Sequence, residues 1–245
     1  NYEEDGSFAH HESWDLMCSG NYNNGGKCPP IWNAYQRATR NYTNIQELTS
    51  EGNVTLQPLI TDNVAYKLSF NANEYFILEN RQQIYWDKYI PGHGMLIFHV
   101  NKNASGWSSH CINCNPNSPG FDLEEANGAY NSSSSNPFPG TANKTSFTDN
   151  TTPSSQSFNG INLNRPITNI SENTTTKNIT FTYGQDNANR PLVLTTDVDA
   201  IEDTVEVSLS ITNFNSVNIT EMGVCFSADT TAPTEDLSTK VIANS

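Results

Sequence analysis

The sequence predicts a mainly β protein: antiparallel strands packed as a sandwich or jelly-roll-like layer, one early helix, and a smaller β-sandwich module at the C-terminal end. Three observations predict it. Apolar residues recur in alternation or in short dense runs bounded by turn residues, as strands require. Helical spacing of apolar residues is confined to one stretch near residue 30. Polar segments rich in Asn, Ser, Thr, Pro and Gly separate the runs, which suits layered β folds.

The helix is expected to open at Pro29-Pro30 and to carry Ile31, Trp32, Tyr35 and Ala38 on one face before Tyr42. Proline suits a first helical turn because its missing N–H has no partner there anyway. Strands are then predicted at 54–60 and 65–70, which alternate apolar with polar side chains. The runs 74–81 and 94–100 are dense enough for central strands buried on both faces. Turn residues at 89–94 separate those two, and further strands are expected at 121–126 and 179–183. Residues 127–160 form a long polar loop whose Phe138, Phe147 and Phe158 can pin it to a sheet.

A boundary is expected near Gln185–Pro191, giving a first domain at 1–186 and a second at 187–245. The runs 192–194, 205–211 and 222–226 read as strands of an immunoglobulin-like module, and Ile219–Ser227 is similar to an "ERGVCWS" strand of bacterial surface-protein sandwich repeats. A complete module of that kind needs about 100 residues, so the second domain is read as partial and the chain as cut at both ends.

Twenty-six acidic against 12 basic residues give a net charge of −14. That balance opposes nucleic-acid binding, which needs Lys and Arg to displace phosphate counterions, and it repels anionic lipid. No apolar run approaches the ~20 residues of a membrane span. Cys18 and Cys28 bracket a short loop that a local disulfide can close, and Cys111 and Cys114 form a CxxC read as a small structural disulfide. Cys225 falls in an apolar strand pattern and is expected to be a buried thiol. This cysteine usage favours an oxidising, secreted or cell-surface location. The ten N-x-S/T sequons point the same way only weakly, because 34 asparagines alone generate about seven by chance.

The stretch Trp14-Asp15-Leu16-Met17-Cys18-Ser19-Gly20, running on to Cys28-Pro29-Pro30, resembles the methionine turn of immune-inhibitor-A-like secreted zinc metallopeptidases. Glu74–Gln82 is similar to that family's "EYFLLENRQ" strand, Pro91–Val100 to its "PGHGLLIWHV", and Asn136–Gly140 with Thr145–Asp149 to its "DPFPG…TSFTD" loop. The resemblance covers roughly residues 10–184. It implies the C-terminal portion of a zinc endopeptidase whose HExxHxxGxxD helix would lie in a missing N-terminal half. It also implies protein or peptide substrates and a floor role for Met17 beneath the metal. In such a parent, zinc-bound water attacks the peptide carbonyl with the helix glutamate as general base. The chain itself is expected to be inactive, because none of His10, His11, His93, His99 and His110 opens an HExxH.

His11-Glu12-Ser13-Trp14-Asp15 imitates that motif with aspartate in place of the second histidine. A rearranged zinc site on His10, His11 and Asp15 competes with the simpler reading of a polar lead-in to the turn. His93 and His99 lie six residues apart on one turn-strand unit, too far to share one ion along an extended chain. Asp122, Glu124 and Glu125 form an acidic cluster in which Asp122 and Glu124 alternate onto one strand face, a candidate calcium site. The competing function is a non-catalytic surface binding or adhesion protein on the same β scaffold, with Trp86 and Trp107 offered to a glycan.

Overall fold

The computed structural model describes residues 12–108, 111–113, 115, 118–129 and 133–184, and beyond them the strands at 192–201, 204–212, 223–225 and 240–242. The chain divides into two compact units, Asn1–Gln185 and Asp186–Ser245.

The first unit is mainly β and sandwich-like. Its strands are β1 (Asn44–Glu47), β2 (Gly52–Leu56), β3 (Val64–Ser69), β4 (Glu74–Arg81), β5 (Gly94–Asn101), β6 (Phe121–Leu123), β7 (Ile167–Glu172) and β8 (Ile179–Tyr183). Five form one sheet in the order β1-β3-β4-β5-β6, and three form a second in the order β2-β8-β7. The three-stranded sheet is antiparallel throughout. The five-stranded sheet is mixed, because β1 pairs parallel to β3. Between those two strands the chain leaves for β2 in the other sheet and returns through the short helix α2 (Leu59–Asp62), so it re-enters in its original direction.

β4 and β5 are buried at every position, which requires cover on both faces of the sheet. On one face Phe76, Leu78, Met95 and Ile97 pack with Leu56, Ile167, Ile179 and Phe181 of the three-stranded sheet. Phe138 and Phe147 of the long loop are fully buried in that same layer. On the other face Ile77, Leu96, Phe98 and Val100 pack with Trp14, Ala34 and Leu59. The N-terminal segment therefore serves as a lid of mostly irregular chain over half the core.

The expected helix from Pro29 to Tyr42 shrinks to α1, Ala34–Ala38. Asn33 ends the extended approach and caps the helix, its side chain accepting from the Gln36 backbone N–H at 2.9 Å. Pro29–Trp32 stay outside the helix, with the Ile31 N–H taken by the Asp87 carboxylate at 2.9 Å. The strand expected at 54–60 stops at Leu56, where Pro58 leads into α2. Two strands of this unit, β1 and β7, lie outside the predicted runs: β1 is largely exposed and polar, and β7 alternates only loosely.

The second unit contains β9 (Leu192–Ile201) paired antiparallel with β10 (Thr204–Thr212), and β11 (Gly223–Cys225) paired antiparallel with β12 (Lys240–Ile242). The expected burial of Cys225 falls outside the described side chains. Among the described residues no helix is long and apolar enough to cross a membrane.

Candidate functional site

Two polar constellations interrupt the apolar layers, one at each end of β4 and on opposite faces of the sheet. The first holds the Trp14–Gly20 turn. Asp15 is buried, and its Oδ1 accepts from the Met17 N–H at 2.7 Å while its Oδ2 accepts from Asn33 Nδ2 at 2.8 Å. Gln36 Nε2 donates to both oxygens at 3.0 and 2.9 Å. The Asp15 carbonyl accepts from the N–H groups of Cys18 and Gly20, closing the turn on itself. A Cβ at position 20 would lie 2.5 Å from that carbonyl oxygen and 2.9 Å from Pro30 Cγ, so only glycine fits.

Beneath the turn, Arg81 is fully buried. Its Nε and Nη2 grip Asp87 in a two-pronged pair at 2.8 Å each, and its Nη1 reaches Glu79 at 3.1 Å. The remaining donors go to the carbonyls of Trp14 and Ile31. Glu79 in turn accepts from the Ala34 N–H at the start of α1. Burial pushes the Glu79 carboxyl up, while the Arg81 charge and these hydrogen bonds pull against that push. Trp14, with no exposure, donates its indole N–H to Asn136 Oδ1 at 3.0 Å, tying the turn to the long loop. Everything under the turn is fixed, and above it Met17 is 63% exposed.

This arrangement answers the sequence candidates. His10 and His11 lie outside the described residues. Asp15 spends both oxygens on Met17, Asn33 and Gln36, so it is a structural anchor of the turn. Met17 is not the buried core residue that a methionine usually is. Cys18 and Cys28 are thiols, not one disulfide, and the Cys28 Sγ points at the Trp86 carbonyl at 3.5 Å. Cys111 is disulfide-bonded, and Cys114 lies outside the described residues.

The second constellation surrounds His99 on β5. Strand register places Phe76 of β4 and Asp122 of β6 opposite it, so the three share one face. His99 is buried and sandwiched between Phe158, stacked at 3.9 Å, and Phe76 at 4.2 Å. Its Nε2 meets Glu74 Oε1 at 3.1 Å and its Nδ1 meets Glu124 Oε1 at 3.2 Å. A carboxylate on each ring nitrogen requires both to carry protons, the imidazolium form. Burial opposes that charge, but the bonds to Glu124 and Glu74 outweigh it and hold the imidazole above its ordinary value. The same His99 bond pulls the Glu74 carboxyl below its usual range. Glu74 also accepts from the Phe158 N–H at 2.8 Å, which fastens the long loop over the histidine.

Asp122 and Glu124, the calcium candidates, are brought to one cavity of about 330 Å³, with Glu125, Ser154, Gln156 and Ser157 also on its wall. Asp122 is pushed up to about 7, first by burial and then by the Glu124 charge. Its Oδ1 is buried and accepts no hydrogen bond. Among the described residues, no three His, Cys, Asp or Glu side chains converge as a ready-made metal site.

His93 and His99 do not meet. His93 is near the surface and bonds Glu172 at 2.8 Å. Trp107 is half-buried, donating to the Asn101 carbonyl at 2.6 Å and packing 5.7 Å from the Tyr35 ring, so it is not an open platform. Trp86 is exposed, as are Tyr85 and Tyr89 on the same 3-10 turn. Glu74 is not among the sequence candidates, and Phe158 is among them only as an anchor of the long loop. The signal for Glu74 was an acid at the head of an otherwise apolar two-sided strand. Nothing local marked Phe158 as a partner for a histidine 59 positions away.

No family model matches the chain, and no curated protein or solved structure matches it either.

Proposed function

We propose that this chain is the C-terminal portion of a secreted zinc-dependent endopeptidase of the immune-inhibitor-A-like kind, completed by an N-terminal half that supplies the HExxH helix. The observation that carries the proposal is the turn at Trp14–Gly20. It is immobilised from below by Asp15 and by the Arg81–Asp87–Glu79 cluster, yet it presents Met17 outward. A floor for a metal-bearing helix needs that combination of rigid support and an open upper side. In this reading the metal ligands and general base belong to the partner half, and the present chain contributes the floor and scaffold. The second unit is read as an immunoglobulin-like accessory module.

The test is to express the chain with and without the preceding coding sequence and assay casein cleavage with zinc. The longer product should cleave and the chain alone should not. A longer product that binds zinc but leaves casein intact would overturn the proposal, as would the absence of an HExxH upstream.

A second reading, a non-catalytic surface binder, is favoured by one feature: Tyr85, Trp86 and Tyr89 stand exposed on a single short turn. Such a row suits stacking on a glycan. Glycan-array binding that disappears on Trp86→Ala would support it, and a blank array would remove it.

A further inference from the structure

The cavity beside His99 is not explained by the scaffold role. Asp122 is only 9% exposed and belongs to the cavity lining, and no protein donor reaches its buried Oδ1. Leaving a carboxylate oxygen desolvated and without a donor is costly. His99 faces Asp122 across the β5–β6 pairing, but both its ring nitrogens are committed to Glu74 and Glu124. Three carboxylates, Asp122, Glu124 and Glu125, share the cavity wall against that single cation.

The lining side chains left to coordinate a cation offer oxygens: the Asp122 carboxylate, the Ser154 and Ser157 hydroxyls and the Gln156 amide. Zinc prefers nitrogen and sulfur ligands, which this wall does not offer in a converging set. Magnesium demands a near-ideal octahedron. Calcium accepts six to eight oxygens in loose geometry, including carbonyls and water, and therefore does not need three converging side chains. We propose that this cavity binds one calcium ion, with the Asp122 carboxylate as a direct ligand and hydroxyl, carbonyl and water oxygens completing the shell. The ion would fasten the Thr152–Phe158 segment of the long loop to the end of β6, and it would do so whether or not the turn serves an enzyme.

The experiment uses the purified chain, stripped with a chelator and titrated with calcium chloride by calorimetry and thermal unfolding at constant ionic strength. One equivalent should bind. At calcium a hundredfold above its Kd, the Tm should rise by about 5 °C or more. Asp122→Asn keeps the shape and removes the charge. It should lose at least tenfold in affinity and show no calcium-dependent Tm gain. A second readout covers the case in which that variant does not fold. On the unaltered chain, calcium should slow protease cleavage within Thr152–Phe158, the segment the ion would fasten. The proposal is overturned by no binding, by equal binding to Asp122→Asn, or by unchanged cleavage of that segment. It is equally overturned if magnesium, potassium or ethylammonium gives the same Tm gain.

Discussion

The two ends of β4 solve the same problem, charge inside a core, in opposite ways. At the Arg81 end the guanidinium has five donors and all of them are used, on Asp87, Glu79 and the carbonyls of Trp14 and Ile31. At the His99 end the cation has only two donors, both spent on glutamates, and the third carboxylate across the strand is left over. The difference is one of donor count and geometry. Arginine can satisfy a crowd of acceptors in a plane, and histidine cannot. The first cluster therefore reads as a fastening and the second as a site with capacity to spare.

The comparison can be broken most sharply at Arg81. Arg81→Leu leaves Glu79 and Asp87 buried without a cation and removes the support of the turn. It should cost about 3–5 kcal/mol, visible as a lowered midpoint in urea unfolding. Asp15→Ala acts one layer higher, stripping the turn of the acceptor for Met17, Asn33 and Gln36. Its expected cost is about 3 kcal/mol by the same measurement, with the Met17 region becoming sensitive to protease.

The His99 end should respond to pH through Asp122 and His99, in addition to the buried Glu79 carboxyl that is raised at the Arg81 end. Asp122 sits at about 7 in the fold against an ordinary 3.8, so between those values the folded chain holds a proton that the unfolded chain has released. Stability then falls as pH rises from about 4 to 7, by at most about 4 kcal/mol. His99 is also raised, so its contribution is fully present below about 6.5 and is lost as pH climbs through its folded value. Both groups push the same way. Asp122→Asn should flatten the fall across pH 4–7, and His99→Gln should flatten the part above about 6.5. Denaturation midpoints measured from pH 4 to 8 without added calcium would show it, and an unchanged slope in Asp122→Asn would remove the account. The smallest effect belongs to Trp86→Ala, which should change stability by less than about 0.5 kcal/mol because the ring is exposed.

Much of the layer structure was legible because β4 and β5 are apolar without alternation, which only a strand covered on both faces tolerates. Asp15 was visible in the sequence as a residue of the Trp14–Gly20 stretch but not as the anchor of its own turn. What escaped depended on distance. Glu74 meets His99 across 25 positions and Trp14 meets Asn136 across 122, and no window of sequence contains either pair. The helix was overextended for a related reason: the acceptor that holds Ile31 out of helical geometry is Asp87, 56 positions downstream. β1 was missed because it is an exposed edge strand whose pairing with β3, not its own apolar content, makes it a strand.

Complete burial of β4 and β5 has a consequence for how the first unit opens. Their amides are shielded by a sheet on one side and by the turn segment on the other, so no local fluctuation exposes them without parting both layers. In deuterium exchange, the Phe76–Leu78 and Leu96–Phe98 amides should be the last to label and should do so together. Those six protons would then report the global unfolding free energy of the first unit, while amides in the largely exposed β1 label early and report only its own fraying.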